Sequence, residues 1–293
     1  MTDIIPFDKR QGYIWYNGEF VNWQDAKVHV LNHGLHYASC VFEGERVYNK
    51  KIFKNKEHSA RLHYSAGELG FKIPFSIDDL IKAKEQTVLK QEIVDGYMRV
   101  FAWRGSEKMA ISAQNNTIHV AIACWPWPPY YSAEARKKGL RLKIAKYCRP
   151  SPDTAPTSAK AAGLYMICTI SKHEAENQGY NDALMLDYRG YLAEATGANL
   201  FIIMNNDEIH TPIPDCFLNG ITRQTIIELA KVRGYKIIER HIMPEELANA
   251  KDAFLTGSAA EVTRISEIED KYQFQPSEIT LQLMKDYQEL VRK

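Results

Sequence analysis

The chain has 293 residues, 45% of them apolar and 25% charged, an ordinary globular balance that suits one large or two modest domains at roughly 100–200 residues each. A formal net charge of +1 provides no global field to draw in nucleic acid or an anionic membrane. No run of about 18 apolar residues offers a membrane span, and Met1-Thr2-Asp3-Ile4-Ile5-Pro6 lacks the basic region and apolar core of a secretory signal. The five cysteines, Cys40, Cys124, Cys148, Cys168 and Cys216, are odd in number and widely spaced. That pattern fits reduced, buried, structural thiols in a cytoplasmic protein better than a disulfide frame or a zinc site.

In chain order, Tyr13-Ile14-Trp15-Tyr16 and Phe20-Val21 flank Asn17-Gly18, a hairpin signal. Lys27 to Leu31 reads as a further strand. Glu57 to Leu69 reads as a helix with Leu62, Ser65, Ala66 and Leu69 at helical spacing and Gly70 as its stop. Ser76 caps a second helix, and Tyr97 to Trp103 and Ile118 to Cys124 read as strands. The stretch Trp125-Pro126-Trp127-Pro128-Pro129-Tyr130 holds three prolines, which have no amide to donate. The domain boundary is placed there: a small α/β domain over 1–125, an interdomain loop over 126–138 and a larger domain over 139–293.

In the second part, Leu140 to Tyr147 alternates as a strand, and Ala161 to Gln178 reads as a helix ended by Gly179. Ala183 to Asp187 and Tyr191-Leu192 form a hairpin around Arg189-Gly190, and Asn199 to Met204 reads as a buried strand. Thr222 to Arg233 is helical, with Gly234 just past its end. Ser277 caps a last helix carrying Leu283, Met284, Tyr287, Leu290 and Val291.

The residues that carry chemistry cluster in the second part. Lys160 stands among Ser158, Ala159, Ala161, Ala162 and Gly163, with Tyr165 five positions on. A lysine that attacks an aldehyde must lose its proton, and apolar surroundings favour the neutral amine. Small neighbours also leave room for a flat cofactor. Glu194, again flanked by small residues, offers a carboxylate that could keep a pyridine nitrogen protonated. Gly220-Ile221-Thr222 opens a helix, whose N-terminus presents amide donors to a phosphate. Ser258 adds a hydroxyl in Gly257-Ser258-Ala259, and Arg61 a bidentate fork. Taken singly, each has a plain alternative: a solvated lysine or arginine, a core tyrosine, a surface glutamate, a routine helix start.

As an ordered set, these residues resemble the fold-type IV, or class IV, pyridoxal-phosphate aminotransferases, and within them the bacterial branched-chain amino acid aminotransferases. The resemblance spans about Tyr13 to Ile265. It rests on His36-Tyr37, Phe42-Glu43-Gly44, Glu57-His58 with Arg61-Leu62, Tyr97-x-Arg99, Ser158-Ala159-Lys160-Ala161, the stretch from Glu194 to Phe201, Gly220-Ile221-Thr222-Arg223 and Gly257-Ser258-Ala259-Ala260-Glu261.

The resemblance implies a two-domain fold of the α+β type, with pyridoxal 5′-phosphate in the cleft. It implies that Lys160 carries the cofactor and shuttles the proton, Glu194 pairs with the pyridine nitrogen and Tyr165 bonds the phenolate oxygen. Arg61, Ile221, Thr222 and Ser258 would hold the phosphate. Tyr37, Phe42, Trp127 and Tyr130 would build an apolar pocket along Gly44. Tyr97 and Arg99, with the Ser258-Ala259 backbone, would receive substrate carboxylates. The implied reaction moves the amino group of L-leucine, L-isoleucine or L-valine to 2-oxoglutarate, reversibly and by a ping-pong route through pyridoxamine phosphate, giving L-glutamate. The loop around Met109 to Ile111 would reach a neighbouring subunit, making a homodimer the minimum unit and a hexamer the larger form. No metal, nucleic acid or membrane enters this reading.

Three positions depart from the family pattern. Glu45 stands where an aliphatic residue is usual; facing the pocket it would count against branched-chain specificity, whereas strand alternation should turn it away from Gly44's face. Val100 replaces a common proline, and Ser258 a usual threonine. Other members of the same superfamily, a D-amino acid aminotransferase, an aminodeoxychorismate lyase or an amine transaminase, are the alternatives, and Tyr97-x-Arg99 favours the branched-chain branch. A metal hydrolase built on His33, His36, His58 and His63 lacks converging ligand spacing. A non-catalytic binding module would have no use for Lys160.

Overall fold

The computed structural model describes residues 5–128 and 130–293. Residues 1–4, read above for a signal, and Pro129 lie outside the described residues. The chain divides into two compact units: Met1–Pro128 with Ala159–Gly163, and Pro129–Ser158 with Leu164–Lys293.

In the first unit, β1 (Tyr13–Tyr16) and β2 (Glu19–Asn22) form the expected hairpin, with Asn17 and Gly18 both at positive φ, as a two-residue turn of this kind requires. There follow α1 (His33–Tyr37), β3 (Cys40–Tyr48), β4 (Lys51–Ile52), α2 (Asn55–Glu68), α3 (Ile77–Lys90), β5 (Gly96–Arg104) and β6 (Ile118–Pro126). The six strands make one sheet in the order β2-β1-β6-β5-β3-β4. Ser76 caps α3 through a reciprocal box with Asp79, and Gly70 follows α2 at φ 70°, both as the sequence suggests.

Four expectations need correction here. Lys27 to Leu31 is not a strand: its backbone closes local turns, with Lys27 donating to Asp25 and Asn32 to His29, and Val28, Val30 and Leu31 are exposed. His33 and His36 lie on the short helix α1, not on a strand or loop. The ladder of β6 runs on through Trp125 to Pro126, which pairs with Gly96. Proline is tolerated there because β1 pairs with β6 only near Ala121 and Ile122, so no donor is missed on that side. Within 126–138, read as a loop, Ser132 caps a short helix, α4 (Ala133–Lys138), by accepting from the Ala135 amide.

Strand β3 alternates strictly. Val41 and Val47 join the core with Leu62, Leu80, Met98 and Val100, and Glu43 and Glu45 point the same way. These two carboxylates, with no exposed surface, each meet a cation from a helix. Glu43 accepts from Arg61 Nε (2.7 Å) and Nη2 (2.8 Å) and contacts His58 Nδ1 at 2.7 Å. Glu45 accepts from Lys84 Nζ at 2.9 and 3.0 Å, and Lys84 also donates to the Asn55 carbonyl at 3.1 Å. The orientation of Glu45 follows: it turns toward α3, away from the face that carries Phe42 and Gly44.

The second unit contains α4, β7 (Leu140–Ile144), α5 (Tyr165–Asn177), β8 (Asp182–Leu186), β9 (Leu192–Ala195), β10 (Asn199–Met204), β11 (Ile209–Pro212), α6 (Ile221–Val232), β12 (Ile237–Arg240), β13 (Ala250–Gly257), β14 (Glu261–Ile268), β15 (Tyr272–Gln273) and α7 (Glu278–Val291). Six strands close a ring, β10-β13-β14-β7-β8-β9, because β9 pairs back onto β10 through Glu194 and Asn199. Leu140, Leu142, Leu184, Leu200, Ile202, Leu255 and Ile265 fill one core. Strand β7 ends three residues before the expected Tyr147. The helix expected from Ala161 starts only at Tyr165, because Ala161 is extended and bridges Val41 in the first unit. Cys148 is exposed and Cys40 only half-buried, against the expectation that all five thiols are buried.

Lys84→Met leaves Glu45 buried without its cation. A loss of about 3–5 kcal/mol is expected on urea unfolding, largely recovered in Glu45→Met/Lys84→Met, where both charges are gone. A single variant as stable as the wild type would contradict the pairing.

Candidate active site

In the first unit, Lys160 is held by its backbone from two directions. Its amide donates to Ser65 Oγ on α2 at 2.9 Å, and its carbonyl accepts from the Phe42 amide on β3 at 3.1 Å. Its amine lies 4.8 Å from the centre of the Phe42 ring. Burial first, then the Arg61 guanidinium, lower its pKa to about 8, against an opposing pull from Glu43. The sequence pointed to the small neighbours of Lys160 as the desolvating groups. The structure adds the aromatic face of β3 and β5, with Tyr97 and Arg99 among the groups that bear on the amine.

That face is ordered by alternation: Phe42, Gly44 and Arg46 on β3 stand opposite Phe101, Arg99 and Tyr97 on β5. Arg99 lies over the Phe42 ring at 4.5 Å and donates from Nη2 to the Tyr97 hydroxyl at 3.4 Å, while its buried Nε has no hydrogen-bond partner among the described residues. Tyr97 packs on Trp127 with ring centres 5.0 Å apart. Gly44 is required by close approach, since a Cβ there would fall 1.9 Å from the Tyr97 hydroxyl. Arg61 commits Nε and Nη2 to Glu43, whose carboxyl is pushed up by burial but held far below the usual range by Arg61 and His58. Tyr37, at the end of α1, packs on His33 with ring centres 4.7 Å apart.

The histidines weighed as metal ligands each engage something different. His33 reaches the Ala110 carbonyl, His36 the Val30 carbonyl and His58 the Glu43 carboxylate, while His63 bonds the Phe75 backbone.

In the second unit, Glu194 is buried on β9 rather than on a surface turn. It accepts from Asn199 Nδ2 at 3.1 Å and pairs with Arg149 Nε at 3.4 Å. Arg149 also senses Tyr165 electrostatically and donates to Cys168 Sγ at 3.3 Å, so Glu194 and Tyr165 flank one buried cation. Ile221 and Thr222 form the buried first turn of α6. Arg223, 1% exposed, fastens that turn by donating to Thr211, the Pro212 carbonyl, Asn219 and Glu239. Ser258 and Ala259 lie in the turn between β13 and β14, beside Thr256, whose buried hydroxyl has no hydrogen-bond partner among the described residues. Tyr130 belongs to this unit. It is half-exposed, packs edge-on to Tyr131 and lies within 5.4 Å of the Lys172 amine.

A family profile described as amino-transferase class IV matches residues 40–268. The chain belongs to the class IV aminotransferases. Membership makes it a pyridoxal-phosphate-dependent enzyme of the mixed α/β, fold-type IV architecture. The aminotransferase is 42% identical over 293 residues to the probable branched-chain-amino-acid aminotransferase of Rickettsia felis, covering 99% of each chain. Its fold matches that of the branched-chain aminotransferase from Thermoproteus uzoniensis with norvaline (TM-score 0.92, 32% identity, 97% and 95% of the two chains). It also matches the T.th. branched-chain amino acid aminotransferase complexed with N-(5′-phosphopyridoxyl)-L-glutamate (TM-score 0.89, 36% identity, 97% and 95%).

The donor set fits pyridoxal phosphate. The first unit offers an amine of lowered proton affinity on an aromatic face. The second offers a buried carboxylate, a helix N-terminus and an unsatisfied hydroxyl. Sequence reasoning missed Arg149, Asn199 and Thr256. Asn199 alone left a trace, as an amide within a strand otherwise of strand formers.

The lowered proton affinity of Lys160 has a kinetic consequence. Only the neutral amine captures an aldehyde, so the rate of pyridoxal phosphate uptake by stripped enzyme should rise about tenfold per pH unit and level off near pH 8. Stopped-flow absorbance across pH 6–10 reads it; a rate still climbing above pH 10 would place the amine at its ordinary value.

Proposed function

We propose that the aminotransferase moves the amino group of L-leucine, L-isoleucine or L-valine to 2-oxoglutarate in two alternating half-reactions, giving branched-chain 2-oxo acids and L-glutamate. The observation that carries this reading is the face of the first unit that joins Phe42, Tyr97 and Trp127 to a half-buried arginine, Arg99, with Lys160 at its edge. Aromatic walls favour an aliphatic side chain at about 25 cal/mol per Å² buried. The same walls would reject a second carboxylate unless a cation stood ready. Arg99, with its unsatisfied Nε, is that cation. The names of the relatives and the glutamate and norvaline ligands of the matching structures support the same substrates.

Pyridoxal phosphate, when bound, supplies the electron sink that weakens the substrate's Cα–H bond. Lys160 would hold it at Nζ and, once displaced by the substrate's own amine, its freed Nζ would take the Cα proton. Glu194 keeps a proton on the pyridine nitrogen, and Arg149 and Asn199 hold that carboxylate in place. Tyr165 donates to the phenolate oxygen. Ile221 and Thr222, Ser258 and Arg61 receive the phosphate. Phe42, Tyr37, Trp127 and Tyr130 shape the side-chain site beside Gly44. Tyr97 and the Ser258-Ala259 backbone take the α-carboxylate that all the substrates share, and Arg99 the second carboxylate of 2-oxoglutarate or L-glutamate.

Titrating the holoenzyme with L-leucine should deplete its visible band, and D-alanine should not; a response to D-alanine alone would transfer the protein to the D-specific branch. Arg99→Leu should lower kcat/KM for 2-oxoglutarate by about 30-fold or more, the cost of an unpaired buried charge, and change that for L-leucine only a few-fold. Equal losses would remove Arg99 from the proposed role.

The same reading makes the working unit a homodimer, with a hexamer as the larger assembly, in the cytoplasm. No helix among the described residues is long and apolar enough to cross a membrane. Val30, Leu35 and Ile111 expose 71%, 69% and 83% of their surface, and His33 ties the loop bearing Ile111 to α1. Clustered apolar exposure of this kind marks an interface. Ile111→Glu should shift the sedimentation coefficient toward the monomer and reduce turnover. A wild-type enzyme that sediments and turns over as a monomer would refute the dimer.

A further inference from the structure

Asn199 opens β10, and its side chain reaches from Glu194 on β9 to the turn that precedes α6. Its Nδ2 donates to Glu194 Oε2 at 3.1 Å and to the Leu218 carbonyl at 2.9 Å. Its Oδ1 accepts from the Gly220 amide at 3.1 Å. Two acceptors face the nitrogen and one donor faces the oxygen, so the network itself fixes the orientation of the amide. Asn199 is 4% exposed, and its backbone is pinned on both sides, opposite Glu194 on β9 and opposite Thr256 on β13. Gly220 is the residue before α6, with φ −59° and ψ 138°. Its backbone is open to any residue type, so glycine is not needed there for its conformation. It is needed for space: a Cβ at 220 would lie 2.1 Å from Asn199 Oδ1.

We propose that Asn199 is a positioning residue that couples the two ends of the cofactor site, setting the Glu194 carboxylate and the Gly220–Thr222 turn in one fixed relation. The inference rests on the assignment of Glu194 to the pyridine nitrogen and of that turn to the phosphate. Asparagine is the residue that fits. Aspartate would set a second carboxylate against Glu194 Oε2 and the Leu218 carbonyl. Leucine, of similar shape, would take this partner from both the Gly220 amide and the Leu218 carbonyl. Because the amide is rigid and shared, a shift at either end moves the other.

The test uses protein stripped of pyridoxal phosphate and two partial probes: pyridoxal, which has the ring without the phosphate, and inorganic phosphate, which has the reverse. Affinities are read by visible absorbance and by calorimetry, and the melting curve of the stripped protein confirms folding of each variant. Asn199→Leu and Asn199→Asp should both weaken pyridoxal and phosphate about tenfold or more, the scale for losing a hydrogen bond to a charged group. Glu194→Gln should weaken pyridoxal alone. The sharpest arm is Gly220→Ala, a change at the phosphate end that should weaken pyridoxal several-fold by displacing Asn199 from Glu194. Unaltered pyridoxal binding in Gly220→Ala, or loss at a single end in both Asn199 variants, overturns the coupling. Wild-type protein that takes up neither probe, or Glu194→Gln that binds pyridoxal as the wild type does, overturns the cofactor assignment itself. The two failures are therefore told apart.

Discussion

The first unit depends on how β3 disposes of two carboxylates. Glu43 and Glu45 point into a core of valine, leucine and methionine, where an unpaired charge would cost several kcal/mol. Each is met by a cation carried on a helix, Arg61 from α2 and Lys84 from α3, and Glu43 is also contacted by the His58 ring of α2. These pairs do not win much stability over an apolar core. What they do is fix register and angle. Lys84 ties β3 to the start of α2 through the Asn55 carbonyl, and α2 then presents Ser65 to the Lys160 amide. The alternate positions of the strand, Phe42 and Gly44, thereby belong to the opposite face, and the Phe42 ring on that face borders the Lys160 amine. One strand thus sets both the rigidity of the unit and the chemistry of its lysine.

The second unit solves a related problem by closure. Its ring of six strands is completed by the short contact of β9 with β10, where Glu194 stands opposite Asn199. A ring has no edge for other chains to pair with, and the residues at its seam are held by the whole circuit. Placing the buried carboxylate at the seam gives it a position that side-chain packing alone would not define. Arg149 then balances its charge, and Asn199 donates to its Oε2.

Much of this was legible in the sequence because it depends on local patterns. The Asn17-Gly18 hairpin, the Ser76 and Ser277 caps and the glycines after α2, α5 and α6 are short-range signals, and they appear where expected. Lysine among small residues and glycine before a helix are local signals as well. What escaped is set by partners distant in the chain. Ala161 looked helical because its neighbours are helix formers, but Val41, far away in sequence, draws it into a bridge. Lys27 to Leu31 looked like a strand, yet among the described residues no strand pairs with it. Arg149 could not be placed because the meaning of a charge depends on what faces it. Glu45 is instructive: strand alternation correctly turned it from the Gly44 face, and only the structure supplied Lys84 as the reason it can stay buried.

Lys160 and Arg99 share one aromatic surface, and this arrangement resolves an apparent conflict. In the proposed roles, the lysine needs a low proton affinity and the carboxylate-binding arginine a fixed positive charge. Placed apart, each would require its own burial cost. Placed around the Phe42 ring, at 4.8 and 4.5 Å from its centre, they help one another. The guanidiniums of Arg61 and Arg99 both oppose protonation of the amine, while arginine, unlike lysine, keeps its own charge through burial. Phe42 contributes a face that accepts cations and an apolar surface beside both. The difference in basicity between the two cation types is what lets one small surface hold an amine of lowered proton affinity beside a permanent charge.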